Sequence, residues 1–367
     1  MGVGLERMDR PRLERVNDLF LEGILEESQD PIRPLGKLSD FVVKELPMVL
    51  GRVRSSKEGE KEGLVKGLVE DVEALVEGVK EVVGDSLVKV AGLDIQMARH
   101  GILTSCGTVG LSLTRLAEAF NKRYGLPNTL TYDQIVLGNP PEDWRSFTRG
   151  RVGKMETDFY RAHQWAEEHL AVSVGELNKA KSGFLRDGLV FQARYAKNAL
   201  ERAAGGIRRA TEVTATLNRL NTEDFDVFRP YLMGTSGFYS LGVVLVDLTL
   251  VGGRIPWLGE LKKELPSGLF PQEDEISEAM LVEFRNDAVL DWADKLGDKG
   301  VYQAVGEALG AMGEFRRVHY EVVAAKKPEV AEDRALSTKG SMNAGQLLRE
   351  RRDFYIHLAE EIKGKAA

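Results

Sequence analysis

Imidazole is the only unperturbed side chain whose charge changes near neutral pH, and it is the commonest metal ligand. The five histidines of this 367-residue chain, His100, His163, His169, His319 and His357, are therefore its first candidates for chemistry. His319 follows Val305, Ala308, Met312 and Phe315 and precedes Val322 at steps of three and four, which puts it on the apolar face of a predicted helix. An unpaired polar group in such surroundings costs about 1–3 kcal/mol, so the ring needs a hydrogen-bond partner or a metal. Two readings stand side by side. One is a core histidine bonded to a carbonyl. The other is an axial ligand to haem iron, which requires one neutral imidazole projecting from a rigid helix into an apolar slot. Arg316 and Arg317 lie beside it, either to pair with haem propionates or to be solvated. His163, in the run from Phe159 to Trp165, also faces inward. It reads as a paired core histidine or as a distal base or hydrogen-bond donor above a bound ligand. His169 is six residues further on, about 120° round the helix, so the two do not form a metal pair.

Other chemistry is weakly signalled. Cys106 is the single cysteine, which excludes an intramolecular disulfide, a cysteine-based zinc cluster and covalent C-x-x-C-H haem attachment. It reads as a small core residue; the spacing to His100 does not establish a dyad. Neither a G-K-[ST] phosphate loop nor a G-x-S-x-G elbow is present. Two small polar stretches precede predicted helices: Thr235 to Ser240, and Ser337 to Ser341. Free amides at helix starts suit polar ligand groups, although Ser and Thr are common caps on their own account.

The elements that must position these residues read as helices almost throughout. Val65, Leu68, Val72, Leu75, Val79 and Val82 form an amphipathic stripe. Met155 to Leu177, Gly188 to Leu220, Glu275 to Leu296, Val301 to Lys327 and Gln346 to Lys363 also look helical. Asn221-Thr222-Glu223-Asp224 is a stop and restart signal. Gly237 to Leu250 is apolar around nearly its whole circumference, which predicts burial on all sides. The polar stretch Ser55 to Gly63 predicts an exposed connection, Tyr124 to Trp144 irregular linking structure, and Lys262 to Pro271 a loop. Period-2 alternation is scarce, so the fold class is all-α, in two regions: residues 1–136 as an N-terminal helical region and residues 137–367 as a second helical region.

Composition narrows the class. Hydrophobic residues are 43% and charged residues 29%, as in a soluble globular protein. No apolar run approaches the roughly 20 residues of a spanning helix, and Met1 to Arg10 lacks a secretory h-region, so a cytoplasmic protein without a membrane partner is expected. The formal net charge of −7 argues against a broad nucleic-acid surface.

Several segments, taken in order, resemble the haem-dependent tryptophan and indoleamine 2,3-dioxygenase superfamily. His163-Gln164 resembles its distal H-Q helix. Phe228-Arg229-Pro230-Tyr231-Leu232 with Ser236-Gly237-Phe238-Tyr239-Ser240 is similar to its F-R-x-Y-L and S-G-F-Q-S signature. Phe315-Arg316-Arg317-Val318-His319 resembles the proximal-ligand helix, and Ser337-Thr338-Lys339-Gly340 the G-T-G-G substrate loop. Gly138-Asn139-Pro140, Arg145-Ser146-Phe147-Thr148 and the spacing from His319 to Thr338 extend the likeness to the monodechloroaminopyrrolnitrin synthase-like family.

The resemblance implies a helical haem-binding core closed by the N-terminal region, with haem b as cofactor. It implies an oxygenase that activates O2 or peroxide and oxidises an indole or other aromatic amino-acid-derived substrate in secondary metabolism, with a homodimer as one allowed assembly. His319 would ligate iron with Arg316 beside the cofactor, His163 would be the catalytic group, and Tyr239, Ser240, Ser337 and Thr338 would border the substrate. Val244 stands where the dioxygenases carry a carboxylate-clamping arginine, and Ser337 and Lys339 replace glycines of the loop. A non-catalytic haem-binding or gas-sensing protein is the alternative that this missing clamp keeps open.

Overall fold

The computed structural model describes residues 37–79, 85–126, 128–140, 143–184, 189–232, 240–257, 288–327 and 344–367. Every regular element among them is helical. None is long and apolar enough to cross a membrane. Tyr239, Ser337 and Thr338 lie outside the described residues, as do Val82, Lys262 to Pro271 and most of the predicted helix from Glu275.

The N-terminal core is built from α1 (Leu46–Ser55), α2 (Glu58–Glu77), α3 (Asp85–Cys106), α4 (Leu111–Tyr124) and α5 (Tyr132–Val136). Leu68, Val72 and Val76 form the buried stripe of α2, with Leu75 and Val79 packed partly beneath it. Two expectations need correction here. The polar stretch after Ser55 is broken only at Ser56 and Lys57 and is helical from Glu58; acidic side chains such as Glu60 suit the positive end of the helix dipole. The linking stretch after Tyr124 contains α5, and its start is fixed by a capping box. Gln134 N–H donates to Thr131 Oγ1 at 3.2 Å and Thr131 N–H donates to Gln134 Oε1 at 3.1 Å.

The second core gathers around α6 (Gly150–Phe184), α7 (Leu189–Ala215), α9 (Leu241–Val251), α11 (Lys299–Lys326) and α12 (Ala344–Ala366), with α8 (Thr222–Phe228) and α10 (Val289–Leu296) at its sides. Small residues let these helices approach. Ala196, Ala199, Ala203 and Ala204 are buried on α7, and a Cβ on Gly206 would stand 2.2 Å from Ser173 Oγ of α6. All 11 residues of α9 are buried, as its apolar circumference requires. Asn221 caps α8 by accepting from Glu223 N–H at 2.8 Å and Asp224 N–H at 3.2 Å, which is the predicted restart.

The long helix α6 joins both cores. Tyr160 belongs to the N-terminal one, which also takes in Phe147, Phe228 and Tyr231, while Ala166 and Leu170 belong to the second. Between them a third, small apolar cluster joins Ala162 of α6, Leu217, and Val318 and Val322 of α11. Each candidate imidazole is next in sequence to a member of that cluster.

Candidate functional site

His163 on α6 and His319 on α11 are brought together from opposite halves of the second region. Ala162 and Val318, their chain neighbours, pack in one cluster, and His319 lies within electrostatic reach of His163.

His319 is neutral across the physiological range. Burial, followed by electrostatic opposition from Arg316, His163 and Arg351, pushes its pKa down to about 3. The Phe315 ring, one turn earlier, lies 6.3 Å from it. Among the described residues neither ring nitrogen has a hydrogen-bond partner. The carbonyl partner of an ordinary core histidine is therefore missing there, and the ring has the neutral form that a metal ligand needs.

His163 is also held neutral, its pKa lowered by burial against the smaller upward pull of a hydrogen bond to Phe159. That bond, 2.8 Å from Nδ1 to the Phe159 carbonyl, fixes the tautomer. A carbonyl only accepts, so Nδ1 carries the proton and Nε2 is left as a lone-pair base. The ring is clamped by Phe159 at 4.1 Å and by the edge of Tyr132 at 6.1 Å.

One turn further along α6 stands Glu167, which the sequence reading missed. It accepts from Tyr132 Oη at 3.1 Å and from Gly242 N–H at 2.9 Å, and it bonds the Ser240 hydroxyl. Burial nevertheless pushes its pKa upward. Ser240 also accepts from Val243 N–H at 3.1 Å, so its hydroxyl caps the start of α9. A Cβ on Gly242 would stand 2.6 Å from Glu167 Oε2, so only glycine lets the carboxylate come this close. The i, i+4 spacing from His163 is the signal that could have revealed Glu167.

Arg316 lies in a buried ion pair. Its Nη2 donates to Asp247 Oδ2 at 2.6 Å, and Tyr355 Oη donates to Asp247 Oδ1 at 2.6 Å. Burial and then the Asp247 charge push the Tyr355 pKa well above the usual tyrosine value. Arg316 Nε is buried without a hydrogen-bond partner among the described residues. Arg351, also buried, lies over the Trp257 ring at 5.0 Å. Asp247, a lone carboxylate within the apolar α9, was the sequence signal for this network.

The remaining candidates lie apart. His100 donates from Nε2 to the Tyr231 carbonyl at 2.9 Å, and burial lowers its pKa. Burial raises the Cys106 thiol, so it is not an activated nucleophile. Val244 is fully enclosed in the core formed by α9.

Among the described residues no three His, Cys, Asp or Glu side chains converge as a metal site. A porphyrin supplies four ring nitrogens itself and asks the protein for as little as one imidazole, so that donor set fits His319. The orphaned Arg316 Nε is a further buried donor suited to an anionic group. No protein-family model and no curated protein matches the chain.

Proposed function

We propose that this protein is a haem b oxygenase of the cytoplasm that uses O2 or peroxide to oxidise an indole or another aromatic amino-acid-derived substrate. One observation carries the reading: a helix-borne, half-buried and neutral imidazole, His319, has no hydrogen-bond partner among the described residues and lies within electrostatic reach of a second neutral imidazole with a free Nε2. Each ring leaves a nitrogen without a protein partner among the described residues, which suits a metal or a polar ligand.

His319 would hold the iron, and Arg316 would present its free Nε at the edge of the same site. Haem, when bound, supplies the activation of oxygen. His163 Nε2 accepts the hydrogen bond, and then the proton, of a substrate N–H, while its Nδ1–H keeps the ring fixed on the Phe159 carbonyl. Tyr132 and Phe159 pack against the ring and hold its orientation. Ser240, whose hydroxyl caps α9, would support the substrate side, and by the resemblance Tyr239, Ser337 and Thr338 would be the other bordering groups.

Titration of the purified chain with haemin tests the assignment. Wild type should give a Soret band of histidine-ligated haem, and His319→Ala should lose it or alter it radically, with partial recovery on addition of imidazole. An unaltered spectrum in His319→Ala removes the assignment.

A second reading has its own support. The buried, apolar Val244 cannot bind a substrate carboxylate. This favours a haem protein that binds gas or a ligand without turnover. Incubating the reduced haem protein with O2 and a set of indoles separates the two: products support the oxygenase, and reversible binding without products supports the sensor.

A further inference from the structure

We propose that a cleft between α1 and the start of α6, lined by neither His163 nor His319, is a binding site for a phosphate monoester with a compact apolar body. It encloses about 300 Å³, at the small end of ligand sites.

Three arginines line it from two segments: Arg52 and Arg54 from α1, and Arg149 from the turn into α6. No acidic residue is among its described lining. The whole chain carries a net charge of −7, so this is a local reversal of sign and not part of a general basic surface. Arg52 and Arg149 have neither an ion pair nor a side-chain hydrogen bond among the described residues. Arg54 makes only a long contact, 3.5 Å, to the Val227 carbonyl and lies over the Tyr231 ring at 5.3 Å. Guanidinium groups gathered in a concavity repel one another, and a bound anion relieves that repulsion.

The charge also selects the anion. Three positive side chains attract the up to two negative charges of a phosphate monoester more strongly than the single charge of a carboxylate. Two of the other lining residues, Ser55 and Thr148, are polar, and the remainder of the wall is apolar. Met48, Val152 and Val227 line it, and Val227 is 41% exposed, unusual for a large hydrophobic residue. Such a wall gives no advantage to a bare ion but gains contact area from an attached ring or short chain.

Gly51 opens the space between these parts. It lines the cleft, and a Cβ built on it meets nothing within 4 Å. A larger side chain there fills the cleft without disturbing α1.

Calorimetry on the full chain, with phenyl phosphate, inorganic phosphate and benzoate as probes, tests the assignment. Phenyl phosphate should bind saturably at one site, at least about tenfold tighter than benzoate and several-fold tighter than inorganic phosphate, and should weaken as salt is raised. The exposed pair Arg52→Gln/Arg149→Gln should lose at least about tenfold in affinity for phenyl phosphate with an unchanged melting temperature. Gly51→Leu should weaken phenyl phosphate by a similar factor while leaving inorganic phosphate within about twofold. Three results would each overturn the proposal: no saturable phenyl phosphate binding at about 10 mM, binding that survives the double arginine variant, or equal affinity for all three probes.

Discussion

Protonation of His163 and protonation of His319 oppose one another: after burial and Arg316, His163 is the next influence pushing the His319 pKa down to about 3. Two imidazoles within that reach cannot both be cations at modest cost, so the pair is a neutral one. Each then has a ring nitrogen able to accept. The Phe159 carbonyl decides which nitrogen that is on His163, because it engages Nδ1.

Side-chain geometry separates the structural part of His163 from its chemical part. Asn at this position retains a donor for the Phe159 carbonyl but has no counterpart of Nε2. His163→Asn should therefore stay within about 1 kcal/mol of wild type in urea denaturation and still bind haem, while losing most turnover or most of the lifetime of the oxygenated form. Kinetics equal to wild type would reduce His163 to packing.

Arg316 and Asp247 form a buried pair at 2.6 Å, 4% and 2% exposed. Removing one partner strands a charge in the core, so Arg316→Met or Asp247→Leu alone should each destabilise by about 3–5 kcal/mol. The double variant should be less destabilised than the sum, because no lone charge remains. Tyr355 limits the recovery, since its hydroxyl loses Asp247 as acceptor. Additive losses in a denaturation cycle would contradict a direct coupling.

The all-helical class and the inward placement of His163 and His319 were legible in the sequence because both are consequences of helical period. The burial of α9 on every side followed from composition alone. What could not be read depends on chain segments far apart in sequence. Glu167 is one i, i+4 step from His163, but its partners Tyr132 and Gly242 come from α5 and α9. Asp247 is a carboxylate in an otherwise apolar helix, yet nothing local in the sequence names Arg316 and Tyr355 as the groups that neutralise and bond it. The arginine cleft was invisible for the same reason: α1 and the turn before α6 meet only in three dimensions. The helical stretch after Ser55 and the short helix α5 are masked in the sequence by neighbouring Gly and Pro, while their start signals, first-turn charge and the Thr131–Gln134 box, are each only a few residues long.

Glu167 gathers donors from α5 and the start of α9, so its loss is a test of that junction. Glu167→Ala leaves Gly242 N–H buried without an acceptor, takes one acceptor from Tyr132 Oη, and should cost about 2–4 kcal/mol. Glu167→Gln, which retains one carbonyl oxygen, should recover part of it. Denaturation midpoints measure both, and hydrogen exchange at Gly242 should rise in the alanine variant before it rises elsewhere. Protection at Gly242 equal to wild type would show that α9 is held by packing alone.

Glu156 gives a pH dependence with a definite sign. Its buried carboxyl accepts from Phe147 N–H at 2.7 Å, Thr148 N–H at 2.9 Å, Thr148 Oγ1 and Tyr160 Oη, fixing the turn that leads into α6. Burial outweighs these bonds and pushes its pKa from 4.5 to about 7. The folded state thus holds the proton more tightly than the unfolded chain does. The associated stability is fully present below about pH 4.5 and is lost as pH rises through about 7, with a total on the order of 3 kcal/mol. Glu156→Gln cannot titrate, so the stability of wild type minus that of the variant isolates this group from the chain's other ionisations. Between pH 4.5 and pH 8 that difference should move against wild type by this amount. A difference that stays constant with pH, or moves the other way, would mean that the four donors keep the carboxylate ionised throughout and that the turn is held by charge-assisted hydrogen bonds.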